Sequence, residues 1–165
     1  VTWLEEPFYS HAYYEYSELA KKSDLPLAGG ESCHSIESAQ NMIRYGKVKF
    51  IQIDAGIAGG ILAGKEICNF AENNNVQYVN HTFTSHLQLS SSLQSYAGSS
   101  KSNFAEYPMQ LKSLAWDITK NHININQDGE INFPDNIGHG MVINEDSLKQ
   151  YKVDVEININ NKRIF

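Results

Sequence analysis

Five ionisable residues fall in phase along the chain: Glu5, Glu31, Asp54, His81 and Glu106. Each follows a short apolar stretch, and the successive gaps are 26, 23, 27 and 25 residues. Carboxylates and an imidazole are the side chains that move protons and hold hard cations. Taken singly, each has a plain structural explanation. Glu5 can be a solvated loop acid, and Glu31 an acid placed ahead of a helix for its dipole. Asp54 can be a turn former before Ala55-Gly56, and His81 a satisfied structural histidine. The common phase argues for chemistry. In a (β/α) barrel the strand C-termini converge on one face, where catalytic groups sit. A regular unit length brings all five side chains round that mouth.

The elements that must position them alternate between strand and helix. Val1 to Leu4 is a short run of β-formers that stops at Glu5-Glu6-Pro7. On an extended backbone Glu6 points away from Glu5, so at most one of the pair faces the mouth. His11 to Lys22 has helical spacing, and Leu25 to Ala28 reads as a second strand running into Gly29-Gly30-Glu31. Ile36 to Tyr45 predicts a helix with Ser35 as its N-cap and Gly46 as its stop. Phe50 to Ile53 is a third strand ending at Asp54. Gly59-Gly60 opens a helix that stops in Asn73-Asn74-Asn75. Val76 to Val79 predicts a fourth strand ending at Asn80-His81, Leu87 to Tyr96 a further helix, and Asn103-Phe104-Ala105 a fifth strand ending at Glu106. Strands and helices alternating at these lengths mean βαβ units and a parallel sheet.

The tail changes character. Ile123 to Asn126 alternates apolar and polar, Gln127-Asp128-Gly129 is a turn, and Ile131 to Phe133 alternates again, which predicts a β-hairpin. Asp146 to Tyr151 reads as a short helix and Val155 to Ile159 as a last strand. Residues 121–165 are expected to cap the domain formed by residues 1–120.

Composition narrows the function classes. The 165 residues are 41% hydrophobic, enough for one sizeable core, and carry a net charge of −6 with a pI near 5.4. With no basic cluster, a nucleic-acid partner or an anionic membrane surface is not expected. The longest apolar runs, such as Ile57 to Ala63, fall far short of the ~20 residues of a membrane span. Two cysteines, Cys33 and Cys68, make no disulfide framework, so a cytoplasmic protein with reduced thiols is expected. Cys33 reads as packing. His11, His34, His86, His122 and His139 lie away from strand ends and read as surface or supporting residues. His81 and His86 are five apart, so they do not stack on one helix face as a zinc-protease pair does.

The strand-end motifs carry a family resemblance. Trp3-Leu4-Glu5-Glu6-Pro7, Gly29-Gly30-Glu31, Gln52-Ile53-Asp54-Ala55-Gly56 with Gly59-Gly60, and Asn80-His81-Thr82-Phe83 resemble successive motifs of the mandelate racemase subgroup of the enolase superfamily. Glu106-Tyr107-Pro108 is similar to the last barrel motif. Ile131 to Met141, with Pro134, Gly138 and Gly140, resembles the loop closing the C-terminal end. The implied fold is the C-terminal part of a (β/α)7β TIM-like barrel, with a third metal ligand, a Lys-x-Lys motif and a capping domain expected upstream of Val1. The resemblance implies that Glu5 and Glu31 are two of three carboxylate ligands to Mg²⁺. It implies that His81 is the general base, oriented by Asp54, and that Glu106 donates a hydrogen bond to a substrate carboxylate oxygen. The implied reaction is removal of a proton α to a carboxylate through an enediolate. The expected outcome is dehydration of an acid sugar by a lyase, with racemisation or epimerisation as the alternative. A homo-oligomer is expected for the intact protein.

Two other readings stay open at this point. A metal-assisted hydrolase could use the same acids, but it would call for more histidine ligands or a carboxylate bridging two metals. A truncated, inactive relative would present two open sheet edges and would be prone to pairing with other chains.

Overall fold

Short runs form the sheet, as the alternation predicts, and two of them, Phe50–Ile53 and Gln77–Asn80, carry β-branched and aromatic residues. The computed structural model describes residues 1–82, 84–109, 112–133 and 136–164. Four strands lie side by side in chain order: β1 (Leu4–Glu5), β2 (Leu27–Gly29), β3 (Phe50–Ile53) and β4 (Gln77–Asn80). All neighbours are parallel, with Glu5 opposite Ala28, Gly29 opposite Ile51, and Ile53 opposite Asn80. That register brings the C-terminal ends of the strands to one edge.

Helices make the crossovers. They are α1 (Tyr13–Lys22), α2 (Ile36–Asn41), α3 (Ala55–Ala58) and α4 (Ile61–Asn73), with α5 (His86–Gln94) following β4. Ser35 caps α2 as expected: its Oγ accepts from the Ser38 N–H at 3.1 Å, and Ser38 Oγ accepts from the Ser35 N–H at 3.1 Å. Past Asn41 the helix widens into a π-helical turn, Met42–Gly46, and the left-handed residue that ends it is Lys47, at φ 60°. Gly46 serves close packing, because a Cβ there would lie 2.7 Å from Met42 Sδ.

Strand alternation divides the core into two faces. Ile51, Ile53 and Tyr78 turn toward the helices and join Tyr16, Met42, Ile67 and Leu89. Full burial of each such aliphatic chain is worth about 1.5–3 kcal/mol. Ala28, Phe50 and Val79 turn the other way and pack under Trp3. Trp3 also meets the Phe104 ring edge-on at 5.8 Å.

The expected fifth strand does not form: among the described residues, 103–105 belong to no strand. Side chains replace the ladder there. The Tyr78 N–H donates to Ser102 Oγ at 3.0 Å, and the Asn80 side-chain amide takes both backbone groups of Glu106.

Ahead of the tail lies α6 (Ser113–Asp117), and the tail holds α7 (Glu145–Lys149), where a short helix is expected. The expected hairpin reduces to one antiparallel bridge between Ile125 and Ile131. It is closed by the Asn126 N–H on Glu130 O at 2.9 Å, with Gly129 at φ 80°. The expected last strand shortens to β5 (Asn158–Ile159), paired antiparallel with β6 (Lys162–Arg163) apart from the main sheet. The tail fastens to α5 at two places. His86 Nδ1 accepts the Ile123 N–H at 3.2 Å, and Ser90 Oγ donates to His139 O at 2.7 Å. Among the described residues no helix is long and apolar enough to cross a membrane.

Candidate active site

Each of the five phased residues sits at the C-terminal edge of the sheet or beside it. Glu5 closes β1 and is exposed, with its Oε2 accepting from Trp3 Nε1 at 3.0 Å. The alternation that should turn Glu6 away breaks down, because Glu6 adopts φ 36° and leaves the extended region. Its Oε1 accepts from the Gly30 N–H at 3.3 Å, which brings a second carboxylate to the mouth.

Gly30 turns the chain after β2. At φ 123° it occupies a region L side chains rarely adopt, and a Cβ would lie 2.6 Å from Ile51 Cδ1. Glu31 therefore emerges over the strand ends, partly buried. Burial raises its pKa, the His81 charge pulls it down, and the Glu6, Glu5 and Glu106 carboxylates push it up again, for a net rise.

Asp54 follows β3 and caps α3, its Oδ1 accepting from the Gly56 N–H at 2.8 Å and from Gln88 Nε2. The turn-forming role that Asp54 could have alone is thus real, and its charge also acts on the His81 ring. Gln88 and Ser92 of α5 complete the support. Ser92 Oγ accepts from the Ala55 N–H at 3.3 Å and donates to His81 O at 3.3 Å, tying two strand ends to one helix.

His81 extends the β3–β4 ladder by one bond, its N–H on Ile53 O at 2.9 Å. Its ring is buried between two carboxylates. Nδ1 lies 2.7 Å from Glu106 Oε2, and Nε2 lies 3.7 Å from Glu31 Oε2. Burial alone would lower the imidazole pKa; Glu106, Glu31 and Asp54 together outweigh it and raise the pKa above its ordinary 6.5. Glu106 Oε1 also accepts from Gln52 Nε2 at 3.5 Å. Glu31, His81 and Glu106 therefore touch in sequence, while Asp54 reaches the imidazole through its field.

The remaining candidates divide clearly. Cys33 and Cys68 are buried and free, and burial pushes both thiols up to about 11, so neither is a nucleophile at neutral pH. His86 is not a surface residue. It is fully buried and packs against Trp116 and His122, with ring centroids 5.0 and 4.9 Å away. Sequence reasoning passed over Gln52, Asn80, Gln88, Ser92 and Tyr96. Asn80 carried a usable signal, since Asn is disfavoured inside a strand unless it has a task there. Phe83 and Pro134, which belong to two of the family-like motifs, lie outside the described residues.

The donor chemistry suits a hard cation. Several carboxylates lie along this edge and repel one another, and that repulsion adds to the burial that is the main cause of the raised Glu31 pKa. A divalent ion that prefers oxygen would relieve that repulsion. Among the described residues no group of three or more His, Cys, Asp or Glu side chains is placed to hold a metal ion. Glu5 and Glu31 are two oxygen donors at this edge, close enough for the Glu5 charge to act on Glu31.

Comparison with known proteins bears on the family and the fold. The chain is 24% identical to D-galactarolactone cycloisomerase of Agrobacterium fabrum over 163 residues, covering 93% of this chain and 42% of that protein. It is 33% identical to D-galactonate dehydratase of Verminephrobacter eiseniae over 79 residues, covering 48% of this chain and 21% of that protein. The crystal structure of a predicted mandelate racemase from Rhodobacter sphaeroides superposes with a TM-score of 0.94 at 41% identity, over 100% of this chain and 42% of that one. The chain thus spans about two fifths of the full-chain relatives it matches. Residues 1–147 match the enolase C-terminal domain-like family, and the chain belongs to it.

Proposed function

We propose that these residues supply the proton-transfer part of a Mg²⁺-dependent site that removes a proton α to the carboxylate of an acid sugar and expels the β-hydroxyl. The observation that carries this reading is the buried His81 ring held between Glu106 and Glu31 at the C-terminal edge of a parallel sheet. In its neutral form His81 takes the α-proton. As negative charge grows on the substrate carboxylate, the Glu106 carboxyl group is the hydrogen-bond donor to it. The His81 imidazolium then delivers its proton to the departing β-hydroxyl, which leaves as water. Asp54 holds the imidazole in a favourable field throughout. Glu5 and Glu31 would hold Mg²⁺, which supplies positive charge beside the substrate carboxylate when bound.

D-galactonate dehydratase, matched over part of the chain, supports elimination. A second reading is reprotonation of the same enediolate from the opposite face, favoured by the 41% identical structure described as a predicted mandelate racemase. Both readings share the first step, so the test is solvent exchange. The longest natural chain containing these residues is incubated with acid sugars and Mg²⁺ in D₂O, and NMR follows the α-proton and the products. Exchange or turnover should fall by a factor on the order of 10²–10⁴ in His81→Asn. A keto acid product means elimination, and an inverted centre means racemisation. Glu31→Gln should weaken Mg²⁺ binding measured by calorimetry. An unchanged rate in His81→Asn removes His81 as the base, and unchanged Mg²⁺ affinity removes Glu31 as a ligand.

A further inference from the structure

Glu106 lies beside the sheet without joining it, yet both of its backbone groups are paired. Asn80 Nδ2 donates to Glu106 O at 2.9 Å, and Asn80 Oδ1 accepts from the Glu106 N–H at 3.0 Å. This is the two-bond pairing a neighbouring peptide would make, supplied here by a side-chain amide. Asn80 is fully buried, at 0% exposure, one residue before His81. Its orientation is set from behind by Tyr96 of the segment following α5. The Tyr96 hydroxyl lies 2.9 Å from Asn80 Oδ1 and 3.0 Å from Phe104 O, so one proton is shared between two acceptors on either side. The hydroxyl thus pins the amide of Asn80 and the strand-like segment that leads into Glu106.

The consequence reaches the imidazole. His81 and Asn80 are consecutive on β4 and its end, so the amide that fixes Glu106 is rigidly joined to the ring that Glu106 touches. Gln52 adds a third hold, on the carboxylate itself. A displacement of the Glu106 backbone by an ångström would open the 2.7 Å contact to His81.

We propose that Asn80 and Tyr96 are a positioning pair that sets the Glu106 carboxyl against His81 and the substrate, and so govern turnover without touching the substrate. This rests on the reading of Glu106 as a reacting-site acid. Tyr96→Phe is the clean probe, since it keeps the ring on Tyr78, at 5.2 Å between centroids, and removes only the hydroxyl. Asn80→Ser is the stronger one, removing the amide pairing.

The test is steady-state kinetics on the longest natural chain containing these residues, with the acid sugar found by the exchange screen. Tyr96→Phe should lower kcat on the order of 10-fold and Asn80→Ser on the order of 100-fold, with KM within about twofold, as for misplacement of a catalytic group. The double variant should be no slower than Asn80→Ser alone. On a Glu106→Ala background, Tyr96→Phe should leave the residual rate where it is. A Tyr96→Phe enzyme with normal kcat, alongside a Glu106→Ala enzyme that is slow, overturns the positioning role and leaves the proposed function standing. The same overturning follows if Tyr96→Phe slows the Glu106→Ala enzyme by its full factor, because the effect then bypasses Glu106. A Glu106→Ala enzyme of normal activity removes the role of Glu106 itself, and the pair's role with it. Should Asn80→Ser fail to fold, Tyr96→Phe in the two backgrounds decides the matter.

Discussion

His86 makes stability depend on pH in a direction that can be worked out from its surroundings. The residue is fully buried, and its Nδ1 must be unprotonated to accept the Ile123 N–H at 3.2 Å. Burial, with the nearby His122 charge as a smaller cause, pushes its pKa from 6.5 down to about 4. The unfolded chain takes up a proton near the ordinary value, whereas the folded chain resists until about 4. Below about 6.5 the unfolded state therefore binds more protons, and stability falls as the pH falls. The gap between the two values, at 1.36 kcal/mol per unit, corresponds to about 3 kcal/mol lost between neutrality and pH 4. The assay is urea denaturation at pH 7.5 and at pH 4.5, comparing the parent with His86→Asn, whose carbonyl can accept the Ile123 N–H but does not titrate. The comparison cancels the other histidines common to both. Trp116, 5.0 Å from His86 and stacked on His122 at 3.8 Å, provides a fluorescent report from the same contact. The parent should lose about 2–3 kcal/mol more than His86→Asn over that range. Parallel stability curves for the two proteins would falsify the burial of a neutral His86.

Three further outcomes follow from the strand ends. Gly30→Ala should destabilise the fold by about 2–4 kcal/mol, because the new Cβ meets Ile51 Cδ1 at 2.6 Å and Gln52 O at 3.0 Å on a backbone at φ 123°. Thermal unfolding measures this, and a neutral result would mean that the strand end yields easily. The His81 ring should titrate above 6.5 by NMR, so kcat/KM should rise with pH along an acid limb placed above that value. Glu106→Gln removes the carboxylate at 2.7 Å and should move the titration midpoint downward; an unmoved midpoint would show that Glu106 does not act on the ring.

Much of the scaffold was legible from local chemistry. The strand Phe50–Ile53 and the Ser35 cap stand where the sequence places them, because an apolar β-branched run and a Ser-x-x-Ser start each act within a few residues. The parallel sheet followed from the repeat of strand and helix, and the phased Glu5, Glu31, Asp54 and His81 do lie along one edge of it. Several features were not readable, each for a reason that lies outside the local segment. Residues 103–105 look like a strand but form none, since the side chains of Ser102 and Asn80 take over the hydrogen bonds of β4. Glu6 departs from alternation because its carboxylate meets the Gly30 N–H, 24 residues away.

The sequence by itself determined the βαβ repeat, the common edge and the residue types gathered there, because period and spacing are one-dimensional properties of the chain. Only the tertiary structure decided which groups touch. Among the described residues the carboxylate nearest His81 is that of Glu106, and Asp54 acts from farther away while its Oδ1 serves Gly56 and Gln88. Such pairings depend on ångström-scale distances between segments tens of residues apart. Burial has the same origin: His86 reads as an ordinary polar residue until Trp116, His122 and Ile123 close over it and remove its water.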